Sequence, residues 1–380
     1  MAALDVAIVG AGPVGAAVAA LCARPGLSVA LFEARPGPSR EGRILALSHA
    51  SRSLLEDVDA WPAAHATPIA SIHISQKGGP GRTLLEAAQQ GLPALGYTVT
   101  YAALEEALAR RLAHAGVAIH YGESCEAITL ETDAARMRFA SGREVDARLL
   151  VLADGGANAG KIPGIAFHEK DYEQQAVIGS VRTDRDHGQR AYERFTPQGP
   201  VALLPVAERY AFVFTAAPGE AKRLLAADDA RFLAELQSHF GDRAGRFVSV
   251  SGRASFPLRL RAVNVPVALR TAIVGNAAQA LHPIAGQGLN LGLRDAAALA
   301  AAITGTAPAS IGSAAMLEAY RKARHRDASR GVAFTDFLAT IFADGRRIPT
   351  WGRGLALTAL DLFPPARRAL AERMIHGAPE

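Results

Sequence analysis

Two cysteines, Cys22 and Cys125, stand far apart in the 380 residues. With no CxxC pair, neither a disulfide framework nor a dithiol redox centre is expected, and a reducing compartment fits. Aromatic residues make up 6% of the chain, with two tryptophans, Trp61 and Trp351. They cannot form the Trp-x-Trp-x-Ile-Pro segment of a flavin halogenase. No unbroken apolar run reaches the roughly 18 residues of a bilayer span. The N-terminus has no basic region before its apolar stretch, so a signal peptide is not expected. His49, His65 and His73 are scattered, without metal-ligand spacing, and no GxSxG elbow is present.

What the chain has is ordinary globular composition: 49% apolar, 20% charged, net charge +5. The charge is uneven. From Tyr320 onward there are eleven Lys or Arg against six acids. Arg324, His325 and Arg326 invite a phosphate-binding reading, but a solvated helix face is the commoner one. Trp351, Leu355, Leu357, Leu360, Leu362 and Phe363 lie near Arg346, Arg347, Arg353, Arg367 and Arg368. Two readings stand for this tail: an interfacial membrane segment, or one packed on the protein or a partner. A cytoplasmic protein is expected, with peripheral contact at the inner face of a membrane if the first holds. Nucleic acid is not expected as a partner.

Asp5–Val9 is a short apolar strand running into Gly10-Ala-Gly12-Pro-Val-Gly15, an Ala-rich helix follows, and Ser28–Phe32 is a second strand ending at Glu33. In this unit Gly10 permits the tight turn, Gly12 admits a pyrophosphate, and Gly15 lets helix and strand pack closely. The helix N-terminus faces the anion, and Glu33 can accept from ribose hydroxyls. Dinucleotide binding is therefore predicted. Further apolar strands at Leu149–Ala153 and Thr271–Val274 are separated by antiparallel-looking stretches at Tyr192–Thr196, Val201–Pro205 and Tyr210–Ala216. One domain is thus built from separated pieces, with another inserted. A second glycine-rich loop, Gly286-Gln287-Gly288, precedes a long Ala/Leu helix. Two such loops suit a long, two-headed cofactor.

Four segments carry a family resemblance: GAGPVG with Glu33; Arg43 in Gly-Arg-Ile-Leu-Ala-Leu-Ser; Ala153-Asp154-Gly155; and Val274-Gly-Asn-Ala-Ala-Gln-Ala-Leu-His-Pro-Ile-Ala-Gly-Gln-Gly-Leu-Asn-Leu-Gly-Leu-Arg-Asp295. The chain resembles the group A flavoprotein aromatic hydroxylases related to para-hydroxybenzoate hydroxylase. Within them it is most similar to the ubiquinone-biosynthesis hydroxylases, nearest the 2-polyprenyl-6-methoxyphenol hydroxylase branch. Glu193-Arg-Phe-Thr-Pro-Gln-Gly-Pro200 points the same way.

The resemblance implies an α/β fold. A Rossmann-like FAD-binding domain (1–72, 98–176, 257–305) would hold an inserted antiparallel substrate domain (73–97, 177–256), followed by a helical segment at 306–380. It implies FAD, with NAD(P)H as transient reductant, and hydroxylation of a prenylated phenol with O2. Gly10, Gly12, Gly15, Glu33 and Arg43 would hold the ADP half. Asp154 and Gly155 would serve the nicotinamide side, and Asn276 the ribityl chain. His282, Pro283, Gly286, Gln287 and Gly288 would sit at the isoalloxazine, with Asn290 also at the cofactor. Gly286 and Gly288 amides would stabilise charge there. His282 reads either as a proton carrier or as a residue stiffening the loop before Pro283. Leu203 and Phe214 are expected on the substrate-pocket floor. The chain departs from its relatives at Asn158, Lys161 and Thr100-Tyr101, which stand where Ser, Arg and an Arg are usual. Hydroxylation of another small aromatic compound, or a non-catalytic FAD-binding subunit of a biosynthetic complex, are the alternatives.

Overall fold

The computed structural model describes residues 4–78, 81–283 and 286–343, together with Phe363 and Glu372; side chains are described as far as residue 337. The apolar and basic cluster of the tail otherwise lies outside the described residues.

The first unit forms as its residues predict. Strand β1 (Leu4–Val9) turns through Gly10–Gly12 into helix α1 (Pro13–Cys22), and β2 (Val29–Glu33) returns beside β1 in parallel. Pro13 starts the helix, where its missing N–H removes no intrahelical bond. The chain then makes β3 (Ile44–Ser48), α2 (His49–Asp57), β4 (Thr67–Ile69), β5 (Ser71–Gln76), β6 (Arg82–Glu86) and β7 (Gly96–Thr100). Helix α3 (Tyr101–His114) follows, its N-terminus capped by the Thr100 hydroxyl, which accepts from the Ala103 N–H. It leads to β8 (Ala118–Tyr121), β9 (Cys125–Leu130), β10 (Ala135–Phe139) and β11 (Glu144–Leu152). The last is one continuous strand that begins well before the apolar run expected at Leu149–Ala153.

Next come β12 (Phe167–Thr183), β13 (Arg190–Thr196), β14 (Gly199–Val206), β15 (Arg209–Ala216), α4 (Pro218–Ala226), α5 (Asp229–Phe240) and β16 (Phe247–Val263). The chain continues with β17 (Val267–Ala268), β18 (Thr271–Ile273), β19 (Gln279–Ala280), α6 (Gln287–Thr304) and α7 (Ala314–Ala343).

The central sheet has the order β17-β18-β11-β1-β2-β8, parallel from β18 to β8. It joins strands from residues 4, 144 and 271 onward, so this layer is assembled from separated pieces. Val6, Ile8, Val151 and Val274 pack on one face with α1, α3, α6 and α7. The other face packs Ala7, Val9, Leu150 and Ile273 against β9 and β10. Burial on both faces explains why these strands read as continuous apolar runs.

The second large sheet runs β19-β16-β12-β15-β14-β13-β5-β6 and is antiparallel except at β13–β5. Helices α4 and α5 cover one of its faces, with Phe232, Leu236 and Leu224 meeting Leu203, Phe212 and Phe214. The divisions expected at 176/177 and 256/257 fall inside β12 and β16, two 17-residue strands that run through both regions. A small sheet, β3-β7-β4, joins the layers.

Candidate active site

Three glycines in the β1–α1 turn do three different things. Gly10 has φ +102°, and a Cβ there would stand 2.5 Å from the Ala153 carbonyl oxygen. A Cβ on Gly15 would lie 2.1 Å from the Gly10 carbonyl oxygen, so helix and turn touch through backbone. Gly12, at the helix N-cap, is different: a Cβ would meet only the Tyr101 hydroxyl, at 3.3 Å. Apart from that hydroxyl nothing lies within 4 Å of such a Cβ, and the helix start receives no side-chain cap. A pyrophosphate would find the N–H groups and positive helix end that such a turn offers.

Glu33 closes this end. Its Oε2 accepts from the Ala11 N–H at 2.9 Å, and its Oε1 from the Arg35 N–H at 3.0 Å. Burial would raise its pKa, but the Arg35 guanidinium and these N–H groups outweigh that and hold it below the usual range. Arg35 also donates to Glu105 at 2.5 Å, and Glu105 accepts the Ser39 N–H at 2.7 Å. Arg35 and Glu105 escape a motif reading because no spacing links residue 33 to residue 105. A buried acid on an otherwise apolar helix face was the available signal.

Arg43 lies 5.1 Å from the centre of the Tyr101 ring and pairs with Glu41 at 3.2 Å. Tyr101 thus places its ring beside the Arg43 cation that precedes β3.

At the other crossing, Asp154 folds its own loop. Its carboxylate accepts from the Gly156 N–H at 2.9 Å, the Asn158 N–H at 2.9 Å and the Asn158 side-chain amide at 2.6 Å. Lys161 donates to the Cys125 and Glu126 carbonyls at 3.0 and 3.1 Å. The two departures, Asn158 and Lys161, therefore tie down the loop that carries Gly155. Asn276 sits in an exposed turn opposite Gly288.

The second glycine loop starts α6. Gly286 is in the left-handed region at φ +60°, with Ala46 close to where its Cβ would be. Gln287 opens the helix, and Gly288 leaves the space before it clear. Asn290 differs from expectation. Its Oδ1 accepts from the Ser48 N–H at 2.8 Å and the Ser51 hydroxyl at 2.7 Å, and its Nδ2 donates to the Ala46 and Gly286 carbonyls. A buried amide with these partners has little left for a cofactor; Asn290 anchors the loop rather than lining the site.

His282 is 1% exposed, and burial brings its pKa down to about 4, so the ring is neutral at pH 7. The Tyr172 ring meets it edge-on at 5.3 Å. The Tyr172 hydroxyl and Lys170 both donate to Asp336 of α7, at 2.8 and 2.6 Å.

A cleft of about 640 Å³ joins these parts. Gly12, Glu33, Arg35 and Arg43 line one end; Asp154, Gly155 and Asn276 the middle; His282, Pro283, Gly286 and Gly288 the other. Leu204 and Val213 of the large sheet also line it. Leu203 and Phe214 do not reach it. Both are fully buried on the opposite face, against α4 and α5. Side chains alternate along a strand, so a one-residue step changes the face.

The residues fit FAD: an uncapped helix start at Gly12, the Glu33 carboxylate at the end of the next strand, and a second glycine turn at Gly286–Gly288, all lining one cleft. Bound there, its pyrophosphate would rest on α1 and its isoalloxazine beside Gly286–Gly288.

The sequence profile of the FAD binding domain family matches residues 3–335. Ubiquinone hydroxylase UbiL of Rhodospirillum rubrum is 33% identical over 377 residues, covering 96% of this chain and 87% of its own length. The 3-demethoxyubiquinol 3-hydroxylase of Escherichia coli is 34% identical, covering 78% of each chain. Among solved structures, p-nitrophenol 4-monooxygenase PnpA of Pseudomonas putida superposes with a TM-score of 0.79 at 18% identity, covering 100% of this chain and 99% of its own. The chain belongs to the FAD binding domain family and, within it, to the FAD-dependent aromatic hydroxylases that include those of ubiquinone biosynthesis.

Proposed function

We propose that this flavoenzyme hydroxylates a prenylated phenol, using O2 and NAD(P)H, with the ring held between the Gly286–Gly288 turn and the Leu204/Val213 face of the large sheet. The observation that carries the reading is the continuity of the cleft from Glu33 to that apolar face. Bound FAD supplies reduction by NAD(P)H and the activation of oxygen. The protein's part is placement. Leu204 and Val213 offer an apolar wall that excludes water beside the reacting ring. The start of α6 turns N–H groups and a positive helix end toward the electron-rich edge of the cofactor. His282, held neutral, supports the loop instead of carrying charge.

Incubation with 2-prenylphenol, NAD(P)H and ¹⁸O₂ tests this. One labelled oxygen in the product is expected. In Leu204→Asp, FAD should stay bound and phenol binding weaken by about tenfold or more, since a charge enters the apolar wall. In Leu203→Asp the fold itself should fail, because that side chain faces α5. A yellow protein that consumes NAD(P)H yet yields no labelled product from any phenol would refute the reading and favour a non-catalytic FAD-binding subunit.

Among the described residues no helix is long and apolar enough to cross a bilayer.

A further inference from the structure

One carboxylate on the substrate side of the large sheet is unaccounted for. Glu193 pairs with Ile74 of β5 on one side and with Ala202 of β14 on the other. Ala202 pairs with Val213 of β15, and Val213 with Ile178 of β12. Ile74, Glu193, Ala202, Val213 and Ile178 thus form a straight row across five strands, all on one face. Two observations identify that face. Val213 lines the cleft. Phe195 and Ile74, which share the parity of Glu193 and pair across the same strands, pack together away from the α4/α5 core. Tyr192 and Arg194, one step either side, project to the other face, where Tyr192 joins that core and Arg194 reaches Ser75.

Glu193 is the single ionisable member of this row. It is half-buried, and its carboxylate has no ion-pair or hydrogen-bond partner among the described residues. A partly desolvated carboxylate without a partner is costly to the fold, and a ligand that donates a hydrogen bond to it would offset that cost. Between Glu193 and the cleft-lining Val213 stands Ala202, whose side chain is a single methyl group. With strands about 4.8 Å apart, the Glu193 and Val213 backbones stand about 10 Å from each other. An aromatic ring lying over Ala202 would touch Val213 on one side and bring a ring hydroxyl to Glu193 on the other.

We propose that Glu193 grips the hydroxyl of the aromatic substrate, accepting its hydrogen bond and, as the ring is oxygenated, its proton. In that transfer the phenol O–H bond breaks and its electron pair stays on the phenol oxygen. The proton forms an O–H bond on the Glu193 carboxylate and returns to solvent after product leaves. An ionising hydroxyl makes the ring more electron-rich, which is what an electrophilic oxygen donor requires. Burial raises the Glu193 pKa to about 7, so near neutral pH the side chain is basic enough to take a proton and still substantially ionised. The neighbours on its face, Ile74, Ala191, Phe195 and Ala202, do not titrate; His73, Arg190 and Arg194 point from the other. The inference rests on the phenol reading above.

The test compares equilibrium binding of 2-prenylphenol and its methyl ether to the oxidised, FAD-loaded protein by titration calorimetry. Wild type should prefer the phenol by about tenfold, the value of a charge-assisted hydrogen bond. That preference should be larger at about pH 8.5 than at about pH 6, because only the ionised carboxylate gives the stronger bond. Glu193→Gln and Glu193→Ala should bind the ether as wild type does, keep the flavin spectrum, and lose both the preference and its pH dependence. A variant that still prefers the phenol as strongly would overturn the proposal and leave the phenol reading intact. Should both variants fold poorly, wild type decides alone: a preference flat across this pH range overturns it. Failure of wild type to bind either compound would remove the phenol reading, and this proposal with it.

Discussion

Arg324 of α7 donates from Nε to Oδ1 of Asp295 at 2.8 Å, with the two residues 6% and 2% exposed. Asp295 is the last residue of the family motif, and its other oxygen accepts from the Gly275 N–H at 3.1 Å and the Gln279 amide at 2.5 Å. The C-terminal helix is thereby fastened to the loop that presents Asn276 to the cleft. Asp327 continues the network, pairing with both Arg324 and Arg294. Arg324 is therefore neither a phosphate-binding cation nor part of a solvated face, although His325 and Arg326 beside it are exposed.

Removing one member leaves its partner charged and buried. Arg324→Met should destabilise the protein by roughly 3 kcal/mol and loosen FAD, because the 275–279 loop loses its support. Arg324→Met combined with Asp295→Leu should recover part of the stability but not the FAD affinity. Urea midpoints and the FAD dissociation constant measure the two effects. Equal stability of wild type and Arg324→Met would show the pair to be energetically idle.

The glycines of the first turn should separate folding from binding. Gly12→Val should fold once the Tyr101 hydroxyl, the end of a side chain, gives by a few tenths of an ångström, and should purify colourless, since its side chain enters the place where the pyrophosphate goes. Gly15→Ala should fail earlier, because a methyl group would collide with the Gly10 carbonyl. Circular dichroism and the absorbance of bound flavin distinguish the outcomes. A yellow Gly12→Val protein would place the pyrophosphate elsewhere.

His282 makes a prediction in pH. In the fold its pKa is about 4; in the unfolded chain it is about 6.5. Between those values the unfolded chain binds the extra proton, so stability is full above about pH 6.5 and falls as pH drops toward 4. The loss should reach about 3 kcal/mol, and His282→Gln should flatten this part of the stability curve. Chemical denaturation across that range checks it. Parallel curves for the two proteins would mean that His282 does not contribute.

The sequence by itself determined the features that are local in the chain. A glycine turn between a strand and a helix, with an acid at the end of the next strand, is one contiguous piece of chemistry, and Gly10, Gly12, Gly15 and Glu33 stand where it implies. The segment from Val274 to Asp295 is similarly self-contained, and it placed the second glycine turn correctly. The order of the apolar strands also implied one domain built from separated pieces, and their continuous apolar character follows from burial on both faces.

Only the tertiary structure decided what depends on residues meeting from afar. Arg35 and Glu105 join 70 residues apart, and Arg324 finds Asp295 because α7 crosses α6. Asn290, polar and next to the glycine loop, looked like a cofactor ligand until the fold brought Ser48 and Ser51 against it. The pocket floor was the hardest to read. Leu203, Leu204, Val213 and Phe214 are all apolar, so alternation alone cannot say which pair faces the ligand. The packing of α4 and α5 chooses the face: it buries Leu203 and Phe214 and leaves Leu204 and Val213, with Glu193 in the same layer, toward the cleft.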